Sequence, residues 1–501
     1  MSEQPKHSPL EDSAGDQPEQ APLPKKQWRP GCVTYFLVAL LLIVFAAWGG
    51  YAIWKVSLSN QLVARIADMR TQGEPVWFAD LEPEPISAEE NGLAEFRMAL
   101  QLWEQRKPAT NDNYPATRLF FESHREYDGF ASLTPGQRDE VQAMLDENQD
   151  LLQAVRAAIA KPVIRVEYDY TTPQPWWTIL GEMDAAATFR DLLLAEAALA
   201  RHDGELDQAA AVAHDTLRLS HGLRGEFFVV SQHLRMQIER DAIAELCRTL
   251  AAGPISEESF QSLDEVLASL EATTRGRHIV AAERASAFTT LSNTTPEFLQ
   301  EAVGLNFGSS FEPDEMDEWA FFQFEALRIK EQILLLQAMD GFAELVDEVG
   351  EQANVQMEAL EDQYMSDHAV GPIADKYDML PGLPRFRAIL LAHRQLLINA
   401  RFALRVARHF RTQGSVPQSL TEVVDDGLPA VEPGLLSQQP LVYRVFGDGV
   451  GTNEGDLRPG FEIYDVGPNG IDDQAADGHR YEEDSRVQVR FGQSAACEEF
   501  P

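Results

Sequence analysis

Apolar and polar positions change their rhythm along this chain, and each change predicts a different element. From Gly31 to Trp54, GCVTYFLVALLLIVFAAWGGYAIW runs for 24 residues without a charge. At 1.5 Å per residue such a helix reaches about 36 Å, against roughly 30 Å of bilayer hydrocarbon. One membrane crossing is expected. A cleaved signal peptide is the rival reading, but it calls for a shorter apolar run followed by a small-residue cleavage site.

After the apolar run the spacing becomes that of amphipathic helices. SLSNQLVARIADMRTQG continues as a juxtamembrane helix, and a capped start at Ser87 leads into Leu93, Phe96, Leu100 and Trp103 on one face. A single helix is expected from Thr134, with Pro135 in its first turn and Val141, Leu145, Leu152, Val155 and Ile159 as its buried stripe. Residues 161 to 177, KPVIRVEYDYTTPQPWW, lose the helical period and predict an extended crossing held down by Trp176 and Trp177. Two helices joined at Asp203-Gly204 look like a tetratricopeptide-type hairpin. No second copy recurs near a period of 34, so an irregular bundle is favoured over a solenoid. Further helices are expected at 226 to 251, 256 to 272, 277 to 291 and 314 to 349, the last extending toward Tyr364.

Residues 385 to 413 form a helix containing seven arginines and no acid or lysine. Arg387, Arg394, Arg401 and Arg408 recur every seven residues beside Leu390, Leu397 and Leu404, so they line the edge of an apolar face. Residues 314 to 362 hold 14 acids. An interhelical ion-pair network with that segment is one reading, and a groove for an acidic partner is the other. Past Gly414, a short helix at SVPQSLTEVVDDG precedes alternating strands at PLVYRVFG, GFEIYDVG and SRVQVRF, which predict a small antiparallel sheet.

Composition narrows the partners. The net charge is -39, from 41 basic and 80 acidic residues, which disfavours nucleic acid. Lys25, Lys26 and Arg29 precede the apolar run and Lys55 follows it, with Trp28, Trp48, Tyr51 and Trp54 placed for interfacial belts. The expected setting is the inner (cytoplasmic) membrane, with the N-terminus inside and the bulk of the chain extracytoplasmic. Cys32, Cys247 and Cys497 lack the spacing of a zinc site or disulfide framework, and whether Cys247 and Cys497 pair stays open.

The tail carries a family likeness. GSVPQSL after a long helix, then QPLVYRV and GFEIYDVGPNGIDD, resembles the C-terminal module of a family of uncharacterised bacterial membrane-anchored proteins, itself similar to the tail of the type II secretion major pseudopilin. The likeness spans roughly residues 395 to 484. The anchor lacks the glutamate that prepilin processing requires. In the pseudopilin the loop after the last long strand holds calcium, which implies Asn469, Asp472, Asp473 and Asp477 as hard oxygen ligands here. The competing reading is that Gly467, Pro468, Asn469 and Gly470 make tight turns and the aspartates solvate them. No other cofactor is expected.

The fold class expected is therefore mainly α: an irregular, loosely tetratricopeptide-like helical bundle with one N-terminal transmembrane helix and a small C-terminal antiparallel β module. The divisions are a disordered cytoplasmic tail at 1–30, a transmembrane helix at 31–54, a helical extracytoplasmic domain at 55–384, and the Arg-rich helix with its β module at 385–496. Catalytic signatures are missing: no H-E-x-x-H, G-x-S-x-G or P-loop occurs. His214 and His221 stand two turns apart, about 10 Å along a helix, too far for one metal. Glu283 and Arg284 in an apolar helix read as a buried ion pair, with Arg190 or Asp191 as candidate partners. A non-catalytic, membrane-anchored protein that binds a protein partner or organises an envelope assembly is expected. The alternative is a membrane-anchored hydrolase whose carboxylate site forms only in three dimensions.

Overall fold

A computed structural model describes residues 31–113, 133, 135–173, 180–295, 318–368, 382–424, 431–435, 437–446, 459–466 and 486–491. The chain divides into two units, Met1–Ser57 and Leu58–Pro501. Helix α1 (Cys32–Thr71) begins in the first and ends in the second. In the first unit its apolar side chains, among them Phe36, Leu42, Ile43, Phe45 and Trp48, are exposed, and none of its most apolar stretch is buried. The helix is long and apolar enough to cross a membrane.

In the second unit the last turns of α1 present Leu58, Leu62, Ile66 and Met69 inward, and the latter three join an apolar core. That core also takes Val76, Phe288, Leu336, Met339, Phe342 and Phe386. Eleven further helices follow among the described residues: α2 (Leu93–Asn113), α3 (Pro135–Glu147), α4 (Gln149–Ile159), α5 (Leu180–His202), α6 (Leu206–Gly222), α7 (Val229–Ala252), α8 (Glu257–Thr273), α9 (Arg277–Asn293), α10 (Glu318–Leu345), α11 (Glu351–His368) and α12 (Leu383–Gln413). Helices α2 to α5 enclose a second core around Phe96, Val155 and Phe189. The third joins α6, α7, α8 and α12 to the sheet through Leu217, Leu246, Leu267, Phe402, Phe461 and Val489.

Local chemistry explains where this departs from the periodic pattern. The helix expected from Ser87 starts instead at Leu93. The Gly92 amide donates to Val163 O at 2.8 Å, Asn91 Oδ1 accepts the Leu93 amide at 3.1 Å, and a Cβ on Gly92 would collide with the Ala158 carbonyl. Residues 87–91 make a separate turn, with Asn91 N donating to Ser87 O at 3.0 Å, and the Gly92 amide, taken by Val163, does not continue it into α2. The single helix expected from Thr134 is two, α3 and α4, divided at buried Asn148, whose Nδ2 donates to Met144 O at 2.8 Å. Thr134, Trp176 and Trp177 lie outside the described residues.

The α5–α6 hairpin turns at Asp203-Gly204, with Gly204 at φ 81°, as its dipeptide foretells. The helix expected to run on toward Tyr364 breaks after α10, and Gly350 at φ 100° precedes α11. Gly414 closes α12 in the left-handed conformation and donates to Phe410 O at 2.8 Å. Strands β1 (Val442–Phe446), β2 (Gly460–Tyr464) and β3 (Val487–Arg490) pair antiparallel in that order, with Tyr443 opposite Ile463 and Phe461 opposite Val489. The mainly α class with a small C-terminal antiparallel sheet holds.

Candidate functional site

Ionisable side chains concentrate on α7. Arg235 and Glu239 stand one turn apart and Glu245 two turns on, each at most 3% exposed. Glu239 gathers three donors from three helices. His393 Nε2 of α12 lies 2.5 Å from Oε2, while the Ser220 hydroxyl of α6 and Arg235 Nη2, at 3.4 Å, reach Oε1. Burial alone would raise this carboxyl's pKa; His393, Arg235 and Ser220 outweigh it and hold Glu239 below the ordinary range. Arg235 also donates to Gln232 Oε1 at 2.8 Å. Glu245 takes Arg201 Nε at 2.7 Å and Arg248 Nη1 at 3.2 Å. Buried carboxylates with this many donors tie helices in one register.

One pair has the look of a nucleophile and base. His221 Nε2 and Ser269 Oγ are 2.8 Å apart. The other ring nitrogen, Nδ1, faces Arg224 Nη1 at 3.3 Å, and a guanidinium only donates. His221 therefore accepts at Nδ1 and carries its proton on Nε2, aimed at Ser269. Burial, then Arg224, Arg235 and Arg218, push its pKa down to about 4. A neutral imidazole with its proton toward the serine cannot serve as that serine's base. The pair is a structural hydrogen bond.

Two other carboxyls are handled differently. Glu226 and Glu283 are each 2% exposed. Glu226 Oε2 bonds the Tyr168 hydroxyl, and Glu283 Oε1 accepts the first amide of α7, Val229 N, at 2.6 Å. Burial pushes both pKa values up to about 7. Phe227 and Phe228 between them stack into an aromatic layer with Phe78, Tyr168 and Tyr170. Glu283 does not pair with Arg190, which instead meets Asp191 at 2.6 Å and Asp241 at 3.2 Å. Its neighbour Arg284 turns away to Glu74 at 2.7 Å and to Asp340, which Arg65 of α1 also reaches.

The arginine stripe of α12 is partnered, but only its first half by the segment its charge suggested. Arg387 donates to Leu345 O at 3.1 Å and to Asn354 Oδ1, and Arg394 lies 3.9 Å from Asp347. Further along, Arg401 meets Asp264 at 3.1 Å and Glu271 at 2.9 Å, Arg405 meets Asp264 at 2.8 Å, and Arg408 reaches Glu257. The C-terminal half of the stripe is thus neutralised by α8.

The proposed calcium ligands Asn469, Asp472, Asp473 and Asp477 lie outside the described residues, as does Cys497. Among the described residues no cluster of three or more His, Cys, Asp or Glu is arranged to hold a metal. The same tail motif does place Asp465. It is 1% exposed and its Oδ2 accepts Ser437 N at 3.4 Å, while Gln395 of α12 accepts Leu435 N at 2.9 Å. A Cβ on Gly434 would strike the Asp465 carboxylate. In the YDVG motif, then, the aspartate fastens the loop that leads into β1.

Sequence reading singled out Glu283 but passed over Glu226, Glu239 and His393. The signal for Glu239 was present: Arg235 and Glu239 share a face with Met236 and Ile243, inside an apolar helix. With the geometry in hand, no protein-family model, no curated protein and no solved structure matches the chain.

Proposed function

We propose that this chain is a single-pass membrane protein of the inner (cytoplasmic) membrane, with its helical body extracytoplasmic, where it binds another protein and helps organise an envelope assembly without catalysis. The observation that carries this reading is α1, whose apolar first half offers exposed Phe, Leu, Ile and Trp side chains that only lipid would cover favourably. The interior of the body adds support. The buried ion pairs Arg201–Glu245, Arg284–Asp340 and Arg401–Asp264 each tie one helix to another, which suits a rigid presenting scaffold more than a reaction centre. The tail's likeness to the pseudopilin module extends the same reading, with calcium at Asn469, Asp472, Asp473 and Asp477 as its testable part.

Alkaline carbonate extraction of membranes tests the anchor, and protease protection of right-side-out vesicles tests the orientation. Retention in the membrane, with the body digested from outside, is expected; release into the supernatant sinks the proposal. Cross-linking in intact cells followed by mass spectrometry identifies the partner. A calcium titration that leaves the melting temperature unchanged removes the metal from the proposal.

A further inference from the structure

The start of α7 is fastened by two acids that have no dedicated counter-charge. The chain enters this helix through Glu226, Phe227 and Phe228, and both ends of that short passage are gripped by buried carboxyls. Glu226 is bound to Tyr168 on the extended segment, and Glu283 on α9 accepts the Val229 amide at 2.6 Å. The second oxygen of Glu283 is buried without a hydrogen-bond partner. A neutral carboxylic acid tolerates such a place, whereas a carboxylate with one donor and no cation does not.

The charged groups around these acids offer little relief. Arg235 is the guanidinium whose charge favours ionised Glu226, but its hydrogen bonds go to Gln232 and Glu239, and Glu182 on α5 opposes it with negative charge. Tyr168 and Tyr170, on the extended segment, are phenols whose own pKa values are raised, by burial first and then by Glu226. No charged side chain contributes to the shift at Glu283; burial raises its pKa and the Val229 amide alone opposes this. Arg284 beside it is committed to Glu74 and Asp340, and Asp80 of the turn at Phe78–Leu81 is committed to the Val76 and Trp77 amides, each at 2.9 Å. His393 of α12 is spent on Glu239.

We propose that Glu226 and Glu283 are a proton-operated latch, which holds the entry to α7 against the extended segment and α9 while both are protonated and releases it when they ionise. Ionisation puts two negative charges beside the Phe78, Tyr168, Tyr170, Phe227 and Phe228 layer. Hydration of those charges then favours a state in which residues 164–170 and 226–229 part and admit water. Elsewhere the ties made by Glu239, Glu245 and Asp264 keep their cations and stay closed. An extracytoplasmic body meets the pH of its surroundings directly, so the latch would make the surface near this aromatic layer available in neutral to alkaline conditions and withdraw it in acid.

Hydrogen exchange on the full-length protein in detergent tests this at about pH 6 and about pH 8.5, with rates corrected for intrinsic exchange. In the wild type, amides of residues 164–170 and 226–235 are expected to lose protection by about tenfold or more at the higher pH, while α8 is unchanged. The double variant Glu226→Gln, Glu283→Gln is expected to keep protection at both. Equal protection of the wild type at the two pH values overturns the proposal, as does loss spread evenly over α8, which signals global unfolding. Should the double variant fail to fold, infrared difference spectra of the wild type decide. A protonated-carboxyl band that disappears between the two pH values supports the latch, and its absence at the lower pH overturns it.

Discussion

Glu239 and Glu283 are equally buried, at 1% and 2% exposed, and lie on packed neighbouring helices, yet they sit in opposite states. Glu239 is ringed by Arg235, His393 and Ser220 and is held below the ordinary carboxylate range. Glu283 has one backbone donor and is pushed up to about 7. Burial depth therefore does not set the charge of an interior acid; the donors delivered by neighbouring helices do. The first kind of acid locks helix register at all ordinary pH values, and the second makes its helix junction depend on a proton.

Glu239→Gln attacks this contrast most heavily, because it leaves Arg235 buried without its charge partner. A loss of about 3–5 kcal/mol in urea unfolding of the detergent-solubilised protein is expected. A loss under about 1 kcal/mol would mean that hydrogen bonds, rather than charge, hold this site. Arg401→Ala removes two carboxylate contacts from a side chain only 8% exposed and is expected to cost about 2 kcal/mol.

Glu283→Gln goes the other way. The raised pKa means that Glu283 contributes its full stability below about 4.5 and loses it as pH rises through about 7. The variant should match the wild type near pH 5 and exceed it by about 1–2 kcal/mol at pH 8, with the gap opening between those values. A gap that does not change with pH contradicts the assignment. The smallest effect belongs to Arg408→Ala, whose ion pair with Glu257 is exposed on both sides. Its melting temperature should shift by no more than a degree or two, equivalent to under about 1 kcal/mol.

Much of the frame was legible in advance because it depends on local chemistry. The uncharged run into α1, the turn at Asp203-Gly204, the stop at Gly414 and the alternating strands of the tail each depend on residues close together in the chain. The helix breaks at Asn148 and before Gly350 were not legible, since neither interrupts the apolar period. Nor was the delayed start at Leu93, where the Gly92 amide is taken by Val163, more than 70 residues further along the chain. The α12 stripe shows the same limit. Its spacing announced that the arginines needed partners, but the richest acidic segment supplied only the first half, and α8 supplied the rest.

Taken alone, the sequence determined one membrane-length apolar helix, a mainly helical body and a small terminal sheet. Hydrophobic length, helical period and strand alternation are all counted along a single strand of text. Tertiary packing decided which buried charges found partners: that Ser220, Arg235 and His393 meet at Glu239, and that Glu283 reaches only an amide. The physical reason is that a hydrogen bond or ion pair acts over a few ångströms of space, and residues separated by 154 positions, as Glu239 and His393 are, come within that range only once the helices have packed.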